Sequence, residues 1–202
     1  PLLGIIDPSL GRGTPNPFWT EASTNFDTPI CNEDICGTGT GSGPADGSFW
    51  AWFGGIEDFE ESSLSQSVVF PSTATQLQFE LEVSACDSAS DYVELLIDGN
   101  REFFIDGSSS LCGLSGYTTQ SVDISAYADG GTHDIEFHSE NSAVNLDFSN
   151  FFIDAISIPG TPSFCSLITT SLTLVKEVIT DSGGSATASD WVLNAAGPTP
   201  LS

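Results

Sequence analysis

Chemistry in this sequence would have to come from two histidines, His133 and His138, or from its 28 aspartates and glutamates. The odd spacing of the histidines puts them on opposite faces of any strand that carries both, so they cannot hold one metal ion within it. As a catalytic base either would need a positioned nucleophile, and neither a Gly-x-Ser-x-Gly elbow nor a Cys/His pattern of known type occurs. Carboxylate pairs suited to glycoside hydrolysis are too numerous to single one out, because the separation that matters belongs to the fold. The expectation is a protein that is not an enzyme.

One acid is more informative. Asp154 lies in the run FFIDAISI, where its face also carries Phe152, Ile156 and Ile158 and the opposite face is nearly as apolar. A carboxylate there is costly unless it is hydrogen-bonded or meets a cation. Bound Ca2+, with oxygens from Asp154 and from a residue near the domain start such as Glu21, would offset that cost. Capping of backbone amides at a sheet edge is the other solution.

Only Arg12, Arg101 and Lys176 oppose the acids, giving a formal charge of −25 and a pI near 4.1. Nucleic acid and anionic membrane are therefore poor partners, since almost nothing is present to neutralise phosphates. So many carboxylates must be solvated, screened by salt or bridged by divalent cations, with calcium the natural candidate outside a cell and a salt-rich habitat the competing explanation.

Five cysteines without a CxxC pair or a Cys/His cluster point to disulfides in an oxidising, extracellular or cell-surface setting. Cys31 and Cys36 are close enough for a local bridge, and Cys86 and Cys112 are placed to staple two loops. Cys165 is left over, bonded outside this chain or buried as a free thiol. No segment approaches a membrane span, and a start at Pro1 without Met or a basic region reads as processed or excised. No permitted N-glycosylation sequon occurs, while the Ser/Thr-rich loops leave O-glycosylation open. Trp19, Trp50, Trp52, Trp191, Tyr92 and Tyr117 either fill a core or form a platform for sugar rings, and Trp50 and Trp52 share one parity.

The elements that must position these residues read as strands. Leu64, Gln66, Val68 and Phe70 alternate with Ser63, Ser65, Ser67 and Val69; Leu77, Phe79, Leu81, Val83 and Ala85 alternate with Gln78, Glu80, Glu82 and Ser84. Val93, Leu95 and Ile97 share a face, and Asp98-Gly99-Asn100 supplies a hairpin turn. Further strands are expected around 118–124, 132–138 and 151–158. Residues 37–43, which alternate Gly with Thr and Ser, form a loop. This pattern predicts an all-β, two-sheet β-sandwich of jelly-roll type at 17–158, preceded by an extended N-terminal arm at 1–16 and closed by a linker at 159–162. A short C-terminal β segment follows at 163–202. Residues 1–10 hold Leu2, Leu3, Ile5 and Ile6 between prolines, either folded back as an edge strand or reaching a neighbouring molecule.

The ordered runs GSFWAWFGG, SLSQSVVFP, CDSASDYVELLIDGN, YTTQSVDISAYADGGTHDIEFHSE and NFFIDAISI resemble the jelly-roll domain of secreted bacterial surface proteins, similar to carbohydrate-binding and adhesion modules. That resemblance implies a binder or spacer, and in calcium-binding relatives an acid in the closing strand, here Asp154, helps to hold the ion. The tail LTLVKEVITDSGGSATASDWVLNAAGP resembles the opening of prealbumin-like domains of surface and pilus proteins. In pilus relatives a lysine of the first strand forms an isopeptide bond, a position open to Lys176.

The greasy arm, the unfinished tail and the odd cysteine together suggest a structural subunit of a filament or surface fibre. A terminal strand of one copy would complete the sheet of the next, with Leu2, Leu3, Ile5 and Ile6 as subunit contacts. The alternative is a carbohydrate-binding module of a larger secreted protein, with Trp50 or Trp52 exposed for sugar stacking and a glycan as partner.

Overall fold

The computed structural model describes residues 4–7, 16–86, 88–142 and 148–159. Leu2, Leu3, most of the linker and the 163–202 segment, with Cys165, Lys176 and Trp191, lie outside the described residues.

Alternating side chains become two antiparallel sheets. The first contains β1 (Thr20–Ser23), β4 (Glu60–Val69), β9 (Thr132–Asn141), β6 (Tyr92–Ile97) and β7 (Asn100–Asp106), in the spatial order β1-β4-β9-β6-β7. The second is ordered β2-β3-β10-β5-β8, from β2 (Ile30–Cys31), β3 (Trp50–Gly54), β10 (Asn150–Ser157), β5 (Gln76–Ala85) and β8 (Thr118–Asp123). The sandwich core lies between them, where Leu64, Leu95 and Phe137 of the first sheet join Phe53, Phe79, Leu81 and Phe151 of the second in one buried cluster. Phe79 meets Phe137 edge-on at 5.1 Å between ring centroids, a favoured aromatic geometry. This is an all-β jelly-roll sandwich.

The expected hairpin joins β6 to β7. Asp98 and Gly99 both take left-handed φ values, 50° and 77°, as a two-residue turn demands. The first fifty residues were less legible: β1, β2 and the one-turn helix α1 (Glu33–Cys36) are too short to show a period. Asn32 caps α1, its side chain accepting from Ile35 N. The Cys31–Cys36 and Cys86–Cys112 disulfides are both formed, with Cα atoms 5.8 and 5.7 Å apart.

Two expectations need correction. Ile5 is not available as a subunit contact, because it is buried in the core of its own domain. Residues 4–7 are tied down there, with Trp19 Nε1 donating to Gly4 O at 3.1 Å and Asn16 Nδ2 donating to Ile6 O at 2.8 Å. The second concerns β10. Asp154 pairs with Glu80 but Ser157 with Gln78, so one extra residue is inserted, and Ala155 takes φ 49°. This bulge reverses the parity of the strand. Phe152 and Asp154 therefore face outward, while Ile156 and Ile158 enter the core instead of sharing their face.

Candidate functional site

The outer face of the second sheet is closed by its own chain. Residues 38–46 run across it, and glycine is required where they touch. A methyl group at Gly41 would stand 2.7 Å from Phe152 Cδ2, and one at Gly39 would run into the Trp52 ring. Beneath this cover Ser42 N and Oγ donate to Glu82 at 2.9 and 3.1 Å, and Tyr117 Oη donates to Gly43 O at 2.6 Å. Burial pushes the Tyr117 hydroxyl upward in pKa, reinforced by the charges of Asp154, Glu82 and Glu80.

Asp154 is part of the same closure. Its Oδ2 accepts from Ala45 N at 2.7 Å and Asp46 N at 2.9 Å, and its Oδ1 from Ala155 N at 2.7 Å. Three backbone donors thus answer the cost that had suggested a cation. Glu21 is elsewhere, on β1 of the first sheet, accepting from Thr28 Oγ1 at 2.6 Å. Burial raises its pKa, with Asp7 adding to the rise. The structure does not bring Glu21 and Asp154 together, and among the described residues no group of three or more His, Cys, Asp or Glu side chains is arranged to hold a metal ion.

Trp50 is fully buried, so it is a packing residue and not a sugar platform. Trp52 is partly exposed. Its Nε1 donates to Asn150 Oδ1 at 2.7 Å, and it lines a hollow of about 370 Å³ with Phe26, Ile35 and the Cys31–Cys36 bridge. That hollow is poorly equipped for a polyhydroxylated ligand. The Thr28 hydroxyl on its wall already donates to Glu21 and accepts from Ile30 N at 2.9 Å.

The outer face of the first sheet is different, with a cross-strand ladder of polar and aromatic side chains. Strand register aligns Phe104, Glu94, His138, Ser63 and Ala22 in one row across β7, β6, β9, β4 and β1. Asp106, Tyr92, Glu140 and Glu61 form the next row; Arg101, Leu96, Glu136, Ser65 and Thr20 flank the other side. Tyr92 and Phe104 stack at 5.5 Å between centroids and 27° between planes. Phe104 is 43% exposed. The Arg101 guanidinium lies over its ring, 4.7 Å from the centroid.

Glu94 organises this face. Its side chain is 8% exposed; one oxygen is bound by Arg101 Nε, and the other lies 3.1 Å from His138 Nδ1. His138 Nε2 in turn stands 3.2 Å from Glu61 Oε1. Arg101 is the one Lys or Arg among the described residues, and its side chain is 56% exposed. With Nε engaged, the four remaining N–H donors of its planar fork are left for another partner. Burial raises the Tyr92 pKa, as do Glu140 and Glu94.

His133 lies on the opposite side of β9 from His138, as their spacing required, between Asp98 at 2.7 Å and Asp129 at 3.1 Å. Sequence reasoning named Tyr92 only as one of several aromatics and Arg101 only as one of three cations, and passed over Phe104 and Glu94. The signal was present: with Val93, Leu95 and Ile97 inward, Tyr92, Glu94 and Leu96 must face out.

Neither the family models nor the curated proteins searched give a match to this sequence. Among solved structures, the chain is similar to the carbohydrate-binding module TmCBM61 in complex with β-1,4-galactotriose, at 15% identity and TM-score 0.47, over 74% of this chain and 94% of that one. It is also similar to the K1 cleaved adhesin domain of Lys-gingipain from Porphyromonas gingivalis W83, at 13% identity and TM-score 0.47, over 75% and 96%. A third is the family 11 carbohydrate-binding module from Clostridium thermocellum in complex with a β-1,3-1,4-mixed-linked tetrasaccharide, at 12% identity and TM-score 0.35, over 76% and 92%. Likenesses this loose carry no argument about ligand, and the chain's own side chains must supply it.

Proposed function

We propose that this domain is a non-catalytic, extracellular carbohydrate-binding module whose ligand lies on the open face of the first sheet. The observation that carries this reading is the placement of Arg101. In a chain so short of cations, the one described Lys or Arg is held half-exposed over Phe104, beside Tyr92 and braced by Glu94. Sugars offer apolar C–H faces and paired hydroxyls. Aromatic rings suit the first, while a planar guanidinium and carboxylates suit the second.

Calorimetric titration against a panel of neutral, amine-bearing and uronic-acid oligosaccharides tests the proposal. Wild-type protein is expected to bind at least one of them, and Phe104→Ala or Arg101→Gln to weaken that binding about tenfold, or about 1.4 kcal/mol. Melting curves identify any variant that has lost its fold. Absence of binding across the panel, or binding that both folded variants retain unchanged, would overturn the assignment.

A further inference from the structure

The charge around the aromatic pair narrows the ligand class, and this step rests on the glycan reading above. Besides Arg101 and His138, the outward side chains of β4, β6, β7 and β9 include Glu61, Glu94, Asp106, Asp134, Glu136 and Glu140. Arg101 and His138 both turn their bonds toward Glu94, and His138 reaches Glu61 as well. No Lys, Arg or His among the described residues forms an ion pair with Glu140, which stands directly across from Tyr92 on one side and Glu61 on the other. Two carboxylates facing each other on neighbouring strands disfavour the sheet unless a cation approaches. The Tyr92 ring, with Glu140 and Glu94 close enough to raise its pKa, offers a π-face in the same place.

We propose that this row, Tyr92 with Glu140 and Glu61, accepts a protonated primary amine, so that the face selects amino-sugar oligosaccharides, of the 2-amino-2-deoxy type, over their N-acetylated and uronic-acid counterparts. The pyranose lies against the exposed edge of the Tyr92–Phe104 stack, and its ammonium group is held between the two carboxylates. A uronic acid in that place meets an excess of like charge. An N-acetyl group leaves the carboxylates without the cation that relieves them.

The experiment is calorimetry with glucosamine, N-acetylglucosamine, glucose and galacturonic acid oligomers of equal length, at physiological salt and at two pH values that bracket the sugar amine's own titration. The amino sugar is expected to bind about five- to tenfold more tightly than the N-acetylated form, with the advantage disappearing as the amine loses its proton. Glu140→Gln should remove most of that advantage. Glu33→Gln, the same charge change in α1 beside the cover of the other sheet, should leave it intact; an equal effect of both variants would mean diffuse attraction to an acidic protein and would sink the proposal. Binding of neutral glycans with no preference for the amine refutes this inference while leaving the glycan module standing. Binding of none refutes both.

Discussion

Asp154→Asn separates the two ways a buried carboxylate can be stabilised. In the structure three N–H groups, from Ala45, Asp46 and Ala155, point at its oxygens. Asparagine keeps one oxygen and puts an NH2 where the other was, so one or two buried donors lose their acceptor and face a new donor. Each such loss costs about 1–3 kcal/mol. Some is recovered because a neutral amide escapes the desolvation that burial imposes on the carboxylate, the leading cause of its raised pKa. A net loss of about 2–4 kcal/mol is expected. For a domain of this size that lowers Tm by about 6–15 °C.

Urea and thermal melts of both proteins, in calcium and in chelator, are the assay. Backbone capping predicts the same difference in both buffers. The acid limb adds a check. With its folded pKa raised, Asp154 takes up a proton in the native state before the unfolded chain does. The pH-dependent part of its contribution is therefore fully present below about pH 3.9 and is lost as pH rises through the folded value. Asp154→Asn abolishes that component. A loss under about 0.5 kcal/mol, within the range of an ordinary surface substitution, would refute the capping argument. So would a difference that chelator erases by lowering the wild type to the level of the variant, a result that would restore the cation.

The glycine cover makes a second prediction: Gly41→Ala should cost about 1–3 kcal/mol in a urea titration, because its methyl group meets the buried Phe152 ring. Gly99→Ala, which adds its methyl to open space and bears only turn strain, should cost less; the reverse order would show that the cover yields freely. A third concerns His133, whose pKa is raised chiefly by its hydrogen bond to Asp98, with Asp129 adding to it against burial. That contribution is fully present below about pH 6.5 and is lost as pH rises through the folded value, while Asp98, held low mainly by the same bond, loses its share in acid below about pH 3.9. The Tm gap between wild type and His133→Gln should therefore narrow from mildly acid to alkaline pH, and a gap constant across that range would count against the pairing.

Sequence reasoning reached the long strands because one buried face imposes a period of two, as in Leu77 to Val83 and Val93 to Ile97. It misplaced the residues after Asp154 because a bulge leaves no mark on composition: FFIDAISI reads as one unbroken alternation, and only Ala155 at positive φ reveals the inserted residue. It left Trp50 and Trp52 open between packing and a sugar platform because parity tells which side a ring faces but not what lies over that side. The glycines at 39 and 41 were the trace of the cover, legible only once Trp52 and Phe152 were known to sit beneath them. The open face was missed for the opposite reason. Its rows cross from β6 to β9 and from β9 to β4, between residues more than forty positions apart, and no local pattern joins Glu94 to His138 or Glu61 to Glu140.

The two sheets solve the burial of acids by different means, and the difference bears on the proposed binding face. Glu82 and Asp154 lie under a loop, where chain not engaged in a ladder offers free amides, and both are held by backbone N–H groups. Glu60 and Asp91, near strand ends, use neighbouring Ser and Asn side chains together with backbone N–H groups. Glu94 sits in mid-strand between two hydrogen-bonded neighbours, so the ladder consumes the amides around it. Only a side chain can reach it there, and the chain commits Arg101 and a histidine to the task. Glu94→Gln would lift that demand, and the Arg101 donors that stay exposed would lose their brace. A protein that needed only stability could have placed Leu or Thr at this position, as strands commonly do. Keeping the carboxylate, the guanidinium and the stacked rings together on a sheet face that no described residues cover makes sense when the face must meet a polar ligand.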